Sequence, residues 1–160
     1  MELEWQFVIM DLDAYLPFNQ FYYRTDLIVN LFYSNNSNID SYDISYIENG
    51  IPKNEIVTKS ELKPITLTEK ILKEILGAPI LGSNNEFVIR FERIENNGYK
   101  YNIRIEPNSE GNWKVSVNGK NCQTVKYLHN LQNYIRHNTA DNHRGHTLLY
   151  VANNQNQIII

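Results

Sequence analysis

The residues best suited to chemistry gather near the C-terminal end, where His137, Asp141, His143 and His146 place three imidazoles and a carboxylate within ten residues. Catalytic zinc commonly takes three protein ligands of these types and keeps a position open for water, so a metal-dependent hydrolase is one reading. The spacing H-x5-H-x2-H falls in a polar stretch without period, and a solvated loop is the plainer account. Asp11 and Asp13 form a second candidate, since carboxylates at i and i+2 share one face of an extended segment and could hold magnesium. No glutamate-x-lysine arrangement accompanies them, and loop acids are again plainer. The chain has no glycine loop fit to cradle a phosphate and no nucleophile elbow. Its one cysteine, Cys122, lies between Asn121 and Gln123 without an activating neighbour, and it rules out an internal disulfide. The expectation is a protein that is not an enzyme and needs no cofactor.

Two stretches are better suited to binding. Lys114, Lys120, Lys126, Arg136 and Arg144 make the last third basic, and Trp113 or Tyr127 could stack on bases, so nucleic acid is a candidate partner. Residues 111–160 carry five bases and one acid, whereas residues 1–60 carry nine acids and three bases. Such a split suits two ends that meet, copies that associate, or an anionic partner at the basic end. The other stretch is rich in rings: Tyr15, Phe18, Phe21, Tyr22 and Tyr23 crowd a segment with no regular period to bury them. Aromatic side chains dominate the energetic centres of protein interfaces, so this acidic, aromatic portion is the expected surface for another protein or a second copy of the chain. Rings filling the core beneath strands is the competing account. His129 and Gln132 fall on and beside the polar side of a helix, where an ordinary hydrogen bond is expected rather than catalysis.

These residues need a scaffold, and 160 residues with 42% hydrophobic and 21% charged side chains suit one globular domain. No run approaches the eighteen or so apolar residues that a membrane helix requires, and the N-terminus is acidic where a secretion signal is basic, so a cytoplasmic protein away from membranes is expected. Residues 124–136 commit most firmly to one structure. At 100° per residue Val125, Tyr127, Leu128, Leu131, Tyr134 and Ile135 share one side of a helix, with Lys126, His129, Asn130, Asn133 and Arg136 opposite. A first helix is expected from Thr66, capped by its hydroxyl with Glu69 reaching back and stopped by Gly77 and Pro79. Between them Phe87 to Glu92, Tyr99 to Ile105 and Trp113 to Val117 alternate as three strands, turned at Asn96-Asn97-Gly98. Earlier, Glu4 to Met10, Asp26 to Ser34 and Tyr42 to Tyr46 read as strands, and Asn49-Gly50 as a turn. The stretch from Asp11 to Arg24 reads as a loop, Lys53 to Leu62 as a tether, and residues 137–160 as a polar tail with a short strand in Thr147 to Ala152. The fold expected is α+β: an antiparallel meander packed by two amphipathic helices, with additional N-terminal strands.

Two pieces of this unit carry a resemblance. Pro64-Ile65-Thr66-Leu67-Thr68-Glu69, then alternating strands, then Tyr127-Leu128-His129-Asn130-Leu131-Gln132-Asn133-Tyr134, resembles a family of small proteins from phages, prophages and conjugative elements of gut bacteria. Those proteins start a helix with a PLTEEWL pattern and close with one reading roughly YVHQLQNLY. The likeness covers about residues 62–136. The family has no assigned reaction, so the resemblance implies a mobile-element setting and no catalytic site. The expectation is a non-enzymatic accessory or interaction protein of a mobile element, engaging a host protein, with a small nucleic-acid-binding protein and a metal-dependent hydrolase as the other readings.

Overall fold

The computed structural model describes residues 11–17, 19–24, 27–32, 41–73, 75–76, 80–83, 86–94, 98–138 and 150–151. It is α+β and mostly antiparallel sheet. The first sheet uses β1 (Gln20–Tyr23), β2 (Leu27–Leu31), β3 (Ser41–Glu48), β4 (Ile51–Thr58) and β5 (Leu62–Pro64), in the order β4-β3-β2-β1-β5. A helical turn, α1 (Glu69–Lys73), and a short strand, β6 (Ile75–Leu76), lead to the second sheet. Its strands, β7 (Ile80–Ser83), β8 (Glu86–Ile94), β9 (Gly98–Pro107), β10 (Trp113–Val117) and β11 (Lys120–Val125), lie side by side in chain order. The helix α2 (Leu128–Asn138) follows, and β12 (Tyr150–Val151) pairs with β6.

One edge of each sheet is joined to the other. Past β5 the chain stays extended, so that Thr66 bridges Tyr127, the Leu67 amide donates to the Lys126 carbonyl at 2.9 Å, and the Leu128 amide to the Ile65 carbonyl at 2.7 Å. This pairing explains why the first helix is shorter than expected. Thr66 is engaged as strand, and the cap falls instead to Thr68, whose hydroxyl accepts from the Ile71 amide at 3.1 Å. Ile75 and Leu76 then leave the helix to pair with Val151 and Tyr150. Likewise Thr124 and Val125, expected in the second helix, belong to β11 opposite Lys114 and Trp113. The second sheet therefore has five strands where alternation suggested three.

The turns behave as their residues demand. Asn49 and Gly50 both hold positive φ, at 52° and 78°, as do Asn118 and Gly119 at 50° and 77°, the geometry that lets a two-residue loop match the strand twist. Asn121 repeats it at 56°, where the β10–β11 register slips by a residue.

Two apolar clusters result. The larger gathers Ile103, Ile105, Val115, Trp113 and Phe87 from the second sheet with Leu128, Leu131, Tyr134 and Ile135 of α2. The Trp113 indole donates to the Leu67 carbonyl at 3.0 Å, so the ring is buried without leaving its N–H unpaired. The smaller cluster belongs to the first sheet and contains Phe21, Tyr23, Val29, Ile44, Tyr46 and Leu62. The expected strand at Glu4 to Met10 and most of the tail lie outside the described residues.

Candidate functional site

The helix α2 is amphipathic in sequence, yet both of its long sides are buried. Leu128, Leu131, Tyr134 and Ile135 enter the larger cluster, and His129, Asn130, Gln132 and Asn133 are also buried, at 4% exposure or less. What covers the polar row is the segment Leu12–Gln20. Asn133 donates to the Leu12 and Ala14 carbonyls at 3.1 and 2.8 Å and accepts from Asn19 at 2.9 Å. Asn130 donates to the Leu12 carbonyl at 2.8 Å and to the Asp13 carboxylate at 3.0 Å, while its own oxygen accepts from the Tyr127 amide at 3.0 Å and so caps the helix. Gln132 accepts from the Gln20 amide at 3.1 Å and donates to its side-chain oxygen at 3.3 Å, and Gln20 passes the chain on to Asn30 at 3.1 Å. Carboxamides suit this position because each both donates and accepts, which lets buried backbone groups be paired without a net charge.

His129 is the one titratable member of that row. Its ring lies 5.2 Å from Tyr15, 4.9 Å from Phe21 and 5.8 Å from Tyr127. Burial pulls its pKa down to about 4 against the weaker opposing pull of Asp13, which keeps the imidazole neutral near pH 7. Its Nδ1 is buried without a hydrogen-bond partner among the described residues. A neutral ring wedged among aromatics suits packing better than metal binding or proton transfer.

A second polar assembly lies on the open face of the second sheet, opposite the core. Residues of one parity on β8, β9 and β10 line a groove of about 350 Å³ there: Val88 and Arg90, Asn102 and Arg104, and Ser116, closed at one end by the Asn118–Gly119 turn. Asn118 builds that end as a side chain in place of a strand. Its carbonyl oxygen accepts from the Asn102 amide at 2.9 Å and its nitrogen donates to the Lys100 carbonyl at 3.0 Å. Arg104 is held by Glu86 at 2.7 Å and approaches Glu106 at 3.8 Å. Arg90, half-buried, makes no ion pair among the described residues.

The residues singled out in the sequence scatter across this framework. Of the five N-terminal rings, Phe21 and Tyr23 fill the first-sheet core, Tyr15 packs beside it with its ring 4.2 Å from Phe21, and Tyr22 leans half-buried on the larger cluster. Phe18 lies outside the described residues. The segment therefore spends at least two of its rings on packing. Lys114, Lys120 and Lys126 are exposed. Lys114 shares the groove face, Lys120 stands at the hairpin tip, and Lys126 lies 5.3 Å over the Tyr127 ring. Arg136 is turned to the covering segment, donating to the Pro17 carbonyl at 3.3 Å, so it does not join the other bases on one face. Arg144, Asp141, His143 and His146 lie outside the described residues, and His137 is exposed at the end of α2. Asp11 and Asp13 are engaged as structure, the first accepting from the Asp13 amide at 3.0 Å and the second from Asn130.

The sequence reading missed Arg90 and Arg104. The signal was present in the alternation of β8 and β9, which places both on the solvent side, but counting charge along the chain diluted them among the acids of residues 61–110. The chain matches no protein-family model, no curated protein and no solved structure.

Proposed function

We propose that the chain is a non-enzymatic accessory protein of a phage or mobile element that acts by binding another protein, and that it does so through the β3–β4 hairpin. The observation that carries this reading is the character of β4. It is the edge of the first sheet, eight residues long, and no strand among the described residues pairs with its outer side. It also carries Ile51 and Ile56, which are 58% and 67% exposed. A long edge strand is a template on which an extended segment of another chain can add, main-chain bonds giving affinity and flanking side chains selectivity. Pro52, which lacks an N–H, and Lys53 discourage indiscriminate pairing along the same edge. The mobile-element setting rests on the resemblance carried by Pro64 to Glu69 and Tyr127 to Tyr134.

The test is affinity capture from host lysate beside a solution mass measurement, with wild type and an Ile51→Asp, Ile56→Asp double variant. The reading expects a defined partner, or a dimer, that the double variant loses while its melting temperature holds. Capture that survives the double variant would place the contact elsewhere. The open face of the second sheet favours the nucleic-acid reading in one respect, since Arg90, Arg104 and Lys114 project from it.

A further inference from the structure

We propose that the groove on the open face of the second sheet binds the phosphate of a nucleotide, with Arg90 as the charge that receives it. This site is independent of the β4 edge and does not rest on the protein-binding reading.

Three features point to a ligand. The first is shape: strands facing solvent normally present a flat or convex surface, whereas here the Asn118–Gly119 turn folds up as a wall at one end of a recess of about 350 Å³, a size that suits a small organic molecule. The second is charge. Arg104 has its carboxylate, Glu86, at 2.7 Å, but Arg90 on the neighbouring strand makes no such pair among the described residues, and its guanidinium brings five donors to the recess. An arginine fork matches the oxygens of phosphate or carboxylate, and its attraction is stronger where surrounding side chains displace water. The third is the lining. Ser116 supplies a hydroxyl that can donate to an anion, Asn102 a carboxamide that can donate or accept, and Val88 an apolar floor on which a flat ring can lie. Gly119 adds no side chain at the mouth, and a Cβ built there would meet only open space.

Phosphate fits this set better than carboxylate for two reasons. One arginine fork engages both oxygens of a carboxylate, whereas a phosphate keeps a third oxygen free for the Ser116 hydroxyl. The face also carries exposed Lys114 beyond the groove, opposite Glu106, so one further phosphate of a strand would meet charge of the right sign. The floor and the amide then serve the base, with little sequence preference because every base offers a π-face. Free nucleotide and single-stranded nucleic acid share this chemistry, and experiment separates them.

The experiment follows backbone amide shifts of the full chain on titration with AMP, inorganic phosphate, a ten-residue oligothymidylate and polyglutamate at low salt. The proposal expects AMP and the oligonucleotide to shift the amides of Asn102, Ser116 and Gly119 together, and Arg90→Gln to weaken binding at least tenfold. Arg90→Lys should restore part of it. Tight oligonucleotide binding with weak AMP binding identifies a strand, and the reverse a free nucleotide; either supports the site. For a strand, Arg90→Gln should also reduce the slope of log affinity against log salt by about one. Polyglutamate acting through the same amides with the same Arg90 dependence would overturn the phosphate assignment. No shift at these amides with any probe, or binding indifferent to Arg90, would overturn the site.

Discussion

The two long sides of α2 are buried to the same depth and held by different forces. One side sets Leu128, Leu131, Tyr134 and Ile135 against the second sheet, where contact is non-directional and each buried side chain contributes in proportion to the area it removes from water. The other sets Asn130, Gln132 and Asn133 against Leu12–Gln20 through hydrogen bonds with a required length and angle, while His129 packs its ring beside Tyr15. The apolar side gains more stability and constrains position less. The polar side gains little net free energy but is costly to disturb, since a lost partner leaves a buried group unpaired, and it therefore fixes where the first sheet sits on the helix. The same contrast separates the two candidate surfaces. The β4 edge offers apolar side chains and unpaired backbone to a macromolecule, and the groove offers a placed charge to a small ligand.

Substitutions should separate the two sides of the helix. Leu131→Ala, in the apolar side, should have the largest effect, a loss of roughly 2–5 kcal/mol in urea unfolding, from lost transfer energy and the cavity left behind. The loss should be global, with protection falling in both sheets.

His129 gives the polar side a pH signature. Its ordinary value is 6.5 and its folded value about 4, so between these the unfolded chain binds the proton that the folded chain refuses. The contribution is full above about pH 6.5 and is lost as the pH drops toward 4, the loss reaching about 3 kcal/mol by the bottom of that window. His129→Phe keeps the ring contacts without the titration. Urea midpoints at pH 4.5 and 7.5 should therefore differ less in the variant than in wild type.

Asn133→Ala removes one carboxamide that pairs three groups, and should cost about 2 kcal/mol. Here the effect should be local: amide exchange rising across Asp11–Asn19 while β9 and β10 stay protected. Uniform loss of protection would erase the distinction between the two sides. The smallest effect belongs to neither side. Thr68→Ala removes the cap of α1 and should cost about 1 kcal/mol, while Thr66→Ala at the position expected to cap should spare that helical turn.

β9 was legible in sequence because it buries one face and leaves the other wetter, as does the described part of β8, and that is what alternation reports. Strands with two similar faces were not. β1 is covered on both sides and β4 is wet on nearly both, so Gln20–Tyr23 read as loop and most of β4, from Lys53 on, as tether. β11 has only Val125 buried, and its position follows from the Asn118–Gly119 turn instead. The motif from His129 to Asn133 was visible as unusual, but a helical projection assigns such residues to solvent. Only the tertiary packing of Leu12–Gln20 turns that side into an interior. The groove failed to show for a related reason, since Arg90 and Ser116 are 26 positions apart in the chain and meet only through strand register.

Side-chain amide exchange measures the buried polar row most directly. In the folded protein the carboxamide protons of Asn130, Gln132 and Asn133 should exchange on the order of a hundredfold more slowly than those of exposed Asn54, because they are released only when the covering segment lifts. Exchange as fast as at Asn54 would mean that water reaches this row in the native state, and that the first sheet is not clamped to the helix by it.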